Sequence, residues 1–110
     1  MIEVDLHIHL RRNGKPFLNS SSVELLREVH RCGSLRVAAM GLHCSYQHAW
    51  QVINNINRAA GTPVVLKQRG GVGGGGARLS VHGQRLLDEY GSVEREIRSF
   101  TRKLNAEISF

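Results

Sequence analysis

Residues 33–57 read GSLRVAAMGLHCSYQHAWQVINNIN, and the way this stretch breaks into two helices decides the fold. Ser34 stands where a helix N-cap is expected and is followed by Leu35, Ala38 and Ala39, enough for one short helix. Residues 41–44, Gly-Leu-His-Cys, interrupt it. Ser45 then offers a second cap, and Ala49, Trp50, Ile53 and Ile56 recur at the three- and four-residue spacings of a buried helix face. Two helices joined by so short a turn make a helix-turn-helix, with Ala39 small enough for the close approach of the pair. The opposite face of the second helix carries Gln47, His48, Gln51, Asn54, Asn55 and Arg58. Such a helix presents its exposed face to the major groove of DNA. Gln and Asn each hold a donor and an acceptor, which suits bidentate reading of adenine. The bland alternative is a solvated polar face, which would more often carry Lys and Glu.

Upstream, Ile2, Val4, Leu6, Ile8 and Leu10 alternate with Glu3, Asp5, His7, His9 and Arg11, the period of a half-buried strand. Asn13-Gly14 is a tight-turn signal, and Lys-Pro-Phe-Leu at 15–18 is positioned to return as a partner strand. Ser20 to Ser22 supply a helix start, with Ser21 and Glu24 at capping-box spacing. Val23, Leu26, Val29 and His30 recur at helical intervals, Leu25 widens that face, and Gly33 ends the helix. Downstream, Gly61-Thr62-Pro63 closes the helix that follows the turn. Residues 64–69 read as a strand, the glycines as a turn, and residues 77–81 as the returning strand. In the last helix Leu86, Tyr90, Val93, Ile97, Phe100 and Leu104 alternate spacings of four and three, a heptad-like seam.

Three helices followed by a two-stranded hairpin is the order of a winged helix-turn-helix. The expected class is therefore mostly α with a small β component, an N-terminal strand and a long C-terminal helix. One domain is expected over 1–110. It comprises an N-terminal strand and hairpin at 1–18, three helices at 20–60 with the helix-turn-helix at 34–58, a wing at 64–81 and a final helix at 82–105. No internal repeat and no linker long enough to divide domains is visible.

Lys and Arg number 15 against 9 Asp and Glu, a net charge of +6, and the pI is near 10.2. That balance favours a polyanionic partner, nucleic acid or an acidic membrane surface. Apolar residues at 41% argue for a folded domain rather than a basic disordered tail. No apolar run approaches the ~20 residues of a membrane span, and the N-terminus carries acids instead of the basic start of a signal peptide. A cytoplasmic chain that does not engage a membrane is expected. Cys32 and Cys44 are too few for a disulfide scaffold and read as reduced, core-filling thiols. His7 and His9 would share one strand face, but neither His43-Cys44 nor His30-x-Cys32 has a zinc spacing, so no metal site is expected. Trp50 reads as core rather than as a base-stacking platform.

The run QRGGVGGGGARLS at 68–80 raises the question of a phosphate cradle. A Walker loop needs Lys and a hydroxyl after its last glycine, whereas Ala77-Arg78 follow Gly76. A dinucleotide fingerprint needs a helix next, whereas a strand follows. No nucleotide cofactor is expected. The run fits a wing tip whose backbone approaches DNA closely, since glycine lacks the Cβ obstacle. Its bland alternative is a hairpin tip that touches nothing. Lys67, Arg69 and Arg78 flank it and suit phosphate neutralisation. With no paired carboxylates in a pocket-forming context and no nucleophile elbow, an enzyme is not expected.

Gly33-Ser34, Ala39, Ser45-Tyr46, Ala49-Trp50, Ile53-Asn54, Asn57 and the string GGVGGGGARLSVHGQRL at 70–86 together carry a family likeness. Over most of residues 2–100 the sequence resembles the N-terminal domain of ModE-type molybdate-responsive transcription regulators. The helix-turn-helix segment is more distantly similar to LysR-type regulators. Two departures stand out: His43 where the family usually has glycine in the turn, and Gln47-His48 where a basic residue usually follows Ser-Tyr. Full-length regulators of this kind continue into a separate molybdate-binding domain, while this sequence ends at Phe110. The resemblance implies operator DNA binding and a link to molybdate uptake genes, with molybdate itself not expected to bind this chain.

The expected protein is a bacterial-type, homodimeric regulator of double-stranded operator DNA. Ser34, Arg36 and Ser45 would hold phosphates at helix N-termini, with Tyr46 and Arg58 among the contacts. Gln47, His48, Gln51 and Asn55 would read bases. Lys67, Arg69, Gly73, Gly74 and Arg78 would form the wing. Leu86, Tyr90, Val93, Ile97, Phe100 and Leu104 would form the dimer interface, placing two recognition helices on half-sites. The alternative is a dimeric winged-helix adaptor that binds protein and has lost specific DNA affinity.

Overall fold

A computed structural model describes residues 2–68 and 76–108. The alternating N-terminus becomes a strand only at its end: β1 spans His9–Arg12 and pairs antiparallel with β2, Lys15–Asn19. Asn13 and Gly14 form the two-residue connection, both at positive φ (52° and 76°), as a type I′ hairpin turn requires. Between Leu10 and Arg11 the register shifts, because Phe17 is an extra residue opposite them. Residues 2–8 pair with no strand, contrary to the alternation, and Ile2 and Leu6 stay exposed. That segment instead lies against the final helix, where the Val4 amide donates to Asn105 Oδ1 and Asn105 Nδ2 donates to the Val4 carbonyl. A hydrophobic alternation fits any extended segment with one covered face, and here a helix covers part of it, at Val4 and Ile8.

Helix α1, Ser20–Cys32, is capped by Asn19 rather than by Ser21. The Ser22 amide donates to Asn19 Oδ1 and the Asn19 amide donates to Ser22 Oγ, both at 2.9 Å, so the reciprocal box uses Ser22 and not Glu24. Val23, Leu25, Leu26 and Val29 are buried, while His30 is exposed and belongs to the other face. Gly33 ends the helix in the left-handed conformation. Helix α2, Leu35–Gly41, starts at Ser34, whose hydroxyl accepts from the Val37 amide at 3.1 Å. Helix α3, Tyr46–Ala60, starts at Ser45, which accepts from the His48 amide at 3.0 Å.

The turn between α2 and α3 explains how His43 replaces the expected glycine. The His43 amide donates to the Met40 carbonyl and the Cys44 amide to the Ala39 carbonyl, the paired bonds of a Schellman ending. His43 occupies the left-handed position at φ 56°. The helix-turn-helix geometry is thus intact, but a Cβ-bearing residue holds a conformation that glycine adopts freely. His43→Gly is therefore expected to raise folding stability by about 0.5–1 kcal/mol, the relief of left-handed strain being partly offset by added freedom in the unfolded chain. Denaturant titration checks the sign; a destabilised variant would mean that the imidazole makes a contact worth more than the strain.

Beyond α3, β3 (Val65–Gln68) and β4 (Gly76–Leu79) pair antiparallel, Val65 opposite Leu79 and Lys67 opposite Ala77. Helix α4, Val81–Glu107, begins at Ser80, whose hydroxyl accepts from the Gly83 amide and also reaches the Pro63 carbonyl. The core joins Leu18, the apolar faces of the first three helices, Val64, Val65, Ala77, Leu79 and Tyr90. Cys32 and Cys44 are free and half-buried at its edge, less enclosed than expected for core thiols. Tyr90 is 1% exposed. Arg27 of α1 lies 6.0 Å from its ring centroid and also pairs with Glu94, which ties α1 to α4. Burial, and then the Glu94 carboxylate, push the Tyr90 phenol above its usual pKa.

At 27 residues and ~1.5 Å per residue, α4 is about 40 Å long, and the molecule measures 59 × 30 × 20 Å. The buried residues of α4 are Gly83, Tyr90 and Gly91, so its second half has left the body. None of the helices described is long and apolar enough to cross a membrane. The four helices and two small antiparallel sheets form a winged helix with a long C-terminal helix.

Candidate nucleic-acid interface

Because Ala49, Ile53, Ile56 and Ala60 point into the core, α3 turns Gln47, His48, Gln51, Asn54, Asn55 and Arg58 outward, all exposed. Gln47, Gln51, Asn55 and Arg58 follow one another at helical spacing along the outermost line of the helix. Neutral amides there cost little to leave in water and lose little when they exchange water for a base edge.

One flank of this line is built by a row of stacked cations and rings. Arg36, in the first turn of α2, lies 5.0 Å from the centroid of Tyr46. Tyr46 and Trp50 meet edge to face with centroids 6.1 Å apart. Lys67 of β3 places its ammonium 4.1 Å from the centroid of Trp50. Cation–π contacts of this kind contribute roughly 0.5–1 kcal/mol each at exposed sites. Trp50 is half-buried: it packs against the edge of the core, as its spacing implied, and its other side meets Tyr46 and Lys67. Its ring sets Lys67 of β3 beside α3.

Asn57 fixes the same junction through the backbone. Its Oδ1 accepts from the Val64 and Val65 amides at 2.8 and 3.1 Å, and its Nδ2 donates to the Val65 carbonyl at 3.1 Å. The start of β3 thereby docks onto α3 with its polar groups satisfied. Nothing in periodicity singles out Asn57, since it sits among other exposed-looking amides.

Not every expected contact converges. Lys67 and Ala77 share the hairpin face that turns toward α3, whereas the strand pleat puts Arg78 with Leu66 on the other face. Arg78 is exposed but separated from the Lys67 side. Ser34 and Ser45 use their hydroxyl oxygens as caps, which leaves each one O–H to donate. Arg69, Gly73 and Gly74 lie outside the described residues. Among the described residues, no group of three or more His, Cys, Asp or Glu side chains could hold a metal ion.

Charge segregation strengthens the site. Between Glu28 and Asp88 the sequence has no Asp or Glu at all, while Arg31, Arg36, Arg58, Lys67, Arg69, Arg78 and Arg85 fall within that interval. The carboxylates sit on the N-terminal segment, α1 and α4, where Glu28 and Glu94 pair with Arg31 and Arg27. The helix-turn-helix and the described part of the wing thus carry cations and no carboxylate of their own, a charge balance that favours a polyanion. Net charge alone conceals this; its distribution along the chain shows it.

No family model matches the chain. Curated relatives do. The transcriptional regulator ModE of Haemophilus influenzae is 35% identical over 79 residues, 72% of this chain and 31% of that protein. The molybdenum transport protein ModE of Azotobacter vinelandii is 33% identical over 84% of this chain and 34% of its own length. The DNA-binding transcriptional dual regulator ModE of Escherichia coli K12 is 33% identical over 81% of this chain and 34% of its own length. The chain thus spans about a third of the length of these relatives. Among solved structures, ArgP from Mycobacterium tuberculosis shares the fold with a TM-score of 0.54 at 21% identity, covering 76% of this chain and 31% of ArgP. ArgP shows the fold alone; the sequence matches, which run over most of this chain, support a ModE-type N-terminal DNA-binding domain.

Proposed function

We propose that this chain is a sequence-specific DNA-binding transcription regulator that engages operator DNA as a homodimer and acts on genes of molybdate transport or molybdenum metabolism. The observation that carries the DNA reading is the exposed amide line of α3 flanked by Arg36 and Lys67 inside an acid-free stretch. The link to molybdenum rests on what the relatives are named. In this reading Gln47, His48, Gln51 and Asn55 contact base edges, and Arg36, Tyr46, Arg58 and Lys67 hold the backbone on either side. The helix N-termini at Ser34 and Ser45 add amide donors for phosphate. Arg69, Gly73, Gly74 and Arg78 belong to the wing, and α4 pairs with its copy.

The two kinds of contact separate under mutation. Gln51→Ala is expected to flatten the preference for an operator over mixed-sequence DNA by about 5- to 150-fold, the roughly 1–3 kcal/mol of one bidentate base contact. Lys67→Ala is expected to weaken all duplexes alike and to reduce the slope of log K against log salt by about 0.9. Titrating labelled duplexes at several salt concentrations reads both. A wild-type slope near zero, with both variants indistinguishable from it, would leave the protein-binding adaptor as the better account.

A further inference from the structure

The wing covers one flank of α3, and the helix has a second flank. Trp50 and Asn57 face β3, as Lys67 and the Asn57 hydrogen bonds show. Val52, Asn55 and Ile56 face the other way and line a surface groove with Leu10, Arg11 and Pro16 of the β1–β2 hairpin. We propose that this hairpin is a second phosphate-contacting arm, with Arg11 and Lys15 meeting the DNA backbone on the side of the recognition helix opposite the wing.

Three observations point this way. The hairpin is fixed relative to α3, because Arg12 donates to the carbonyl of Ala60, the last residue of that helix. Its tip is held too, by the two-residue turn and by the Arg11 guanidinium donating to the Gly14 carbonyl. Its charge is unopposed: no Asp or Glu occurs between Asp5 and Glu24, and Arg11, Arg12 and Lys15 are all exposed. Among the described residues none of these three cations is in an ion pair, unlike Arg27 and Arg31.

The geometry of a duplex gives such an arm a target. A helix roughly 10–12 Å across fills a major groove about 12 Å wide, and that groove has a phosphate wall on each side. A wing reaches one wall; an arm on the other flank of the helix reaches the opposite one. Arg12 is the anchor, and Arg11 and Lys15 are the contacts. The competing explanation is that the cations and Pro16 merely protect an edge strand from pairing with other chains, which would leave DNA affinity indifferent to them.

This inference rests on the DNA-binding reading, and its test separates the two. The full chain is titrated with a mixed-sequence duplex several helical turns long, across a range of salt. Arg11→Gln with Lys15→Gln is compared with Arg95→Gln with Arg102→Gln, which removes the same charge from exposed positions on α4. The hairpin variant should lose about 0.9 of salt slope per contact, close to two units per bound chain. The α4 variant should keep the wild-type slope, and both should unfold at the wild-type temperature. Lys15→Gln alone should show half the loss, without touching the Arg11 bond to the turn. A steep wild-type slope that the hairpin variant retains overturns the arm while leaving DNA binding standing. Equal losses in both double variants also overturn it, by showing that only total charge counts. A flat wild-type slope overturns the DNA reading itself and the arm with it.

Discussion

Gly83→Ala is expected to cost about 1–3 kcal/mol of folding stability, although alanine is the better helix former by roughly 1 kcal/mol. A Cβ at Gly83 would stand 2.3 Å from the Val64 carbonyl oxygen and 3.1 Å from a Val64 methyl. The obstacle is backbone, and that backbone is pinned: the same carbonyl accepts from the Ser80 amide at 2.9 Å, and the Val64 amide donates to Asn57. Relief would require the start of the wing to move away from α4 and break bonds on both sides of Val64. Gly91→Ala, eight residues on in the same helix, supplies the opposite sign. Its nearest neighbour is the mobile end of Arg95 at 3.4 Å, so helix propensity should prevail and stabilise the fold by about 0.5–1 kcal/mol. Denaturant unfolding of the pair measures both. Equal stabilities for Gly83→Ala and the parent would show that α4 and the wing are not locked at this crossing.

That crossing illustrates what one sequence leaves invisible. Hydrophobic spacing located all four helices and both hairpins, because each buries one periodic face and ends at a recognisable cap or glycine. It misplaced His30 and set Trp50 deeper than the core edge it occupies. Spacing reports only which side of a helix a residue occupies, and a position at the margin of a face is settled by what lies next to it. For Trp50 that neighbour is Lys67, which arrives from another element. The N-terminal alternation was genuine, but its covered face meets a helix rather than a strand, and pattern alone cannot distinguish the two. Asn19 took the cap from Ser21 because three serines in a row give the helix several possible starts. The amide line of α3 was legible because its register follows from the buried stripe. Its flanks were less so: Lys67 is legible as a wing cation but not as the partner of Trp50, Arg12 acts on Ala60 across 48 residues, and Asn57 bonds a strand start that periodicity does not point to. The opposite facing of Lys67 and Arg78 required the strand register. The absence of acids between Glu28 and Asp88 is legible in the sequence, but only where charge is mapped along the chain and not in its sum.

Replacing Val93 and Phe100 together by glutamate is expected to convert the proposed dimer into monomers and to weaken binding to a duplex carrying two half-sites by about 10²–10⁴-fold. Val93 is 39% and Phe100 53% exposed, seven residues apart, Val93 near the middle of α4 and Phe100 on the half that has left the body. The N-terminal segment does not cover them: Leu6 and Ile8 lie with Ile97 and Thr101 in a groove on the adjacent flank, and Val4 bonds to Asn105. Ile97 and Leu104, half-buried between the two flanks, extend the seam, while Leu86 and Tyr90 lie nearer the body, where Tyr90 is fully enclosed by its own chain. The interface proposed for the whole heptad run is thus best supported in its second half. Because the two substituted side chains are exposed in the single chain, the monomer should stay within about 0.5 kcal/mol of its parent's intrinsic stability. The loss of DNA affinity would then come from valency: a dimer binds its second half-site as an intramolecular step, and a monomer forfeits that gain without losing any contact on α3. Light scattering after size exclusion reads the mass, and titrations with one and two half-sites read the affinity. The substitutions should leave the single-site affinity unchanged; a parent chain that is already monomeric, or a double variant that still dimerises, would remove α4 from the account of how two recognition helices are held together.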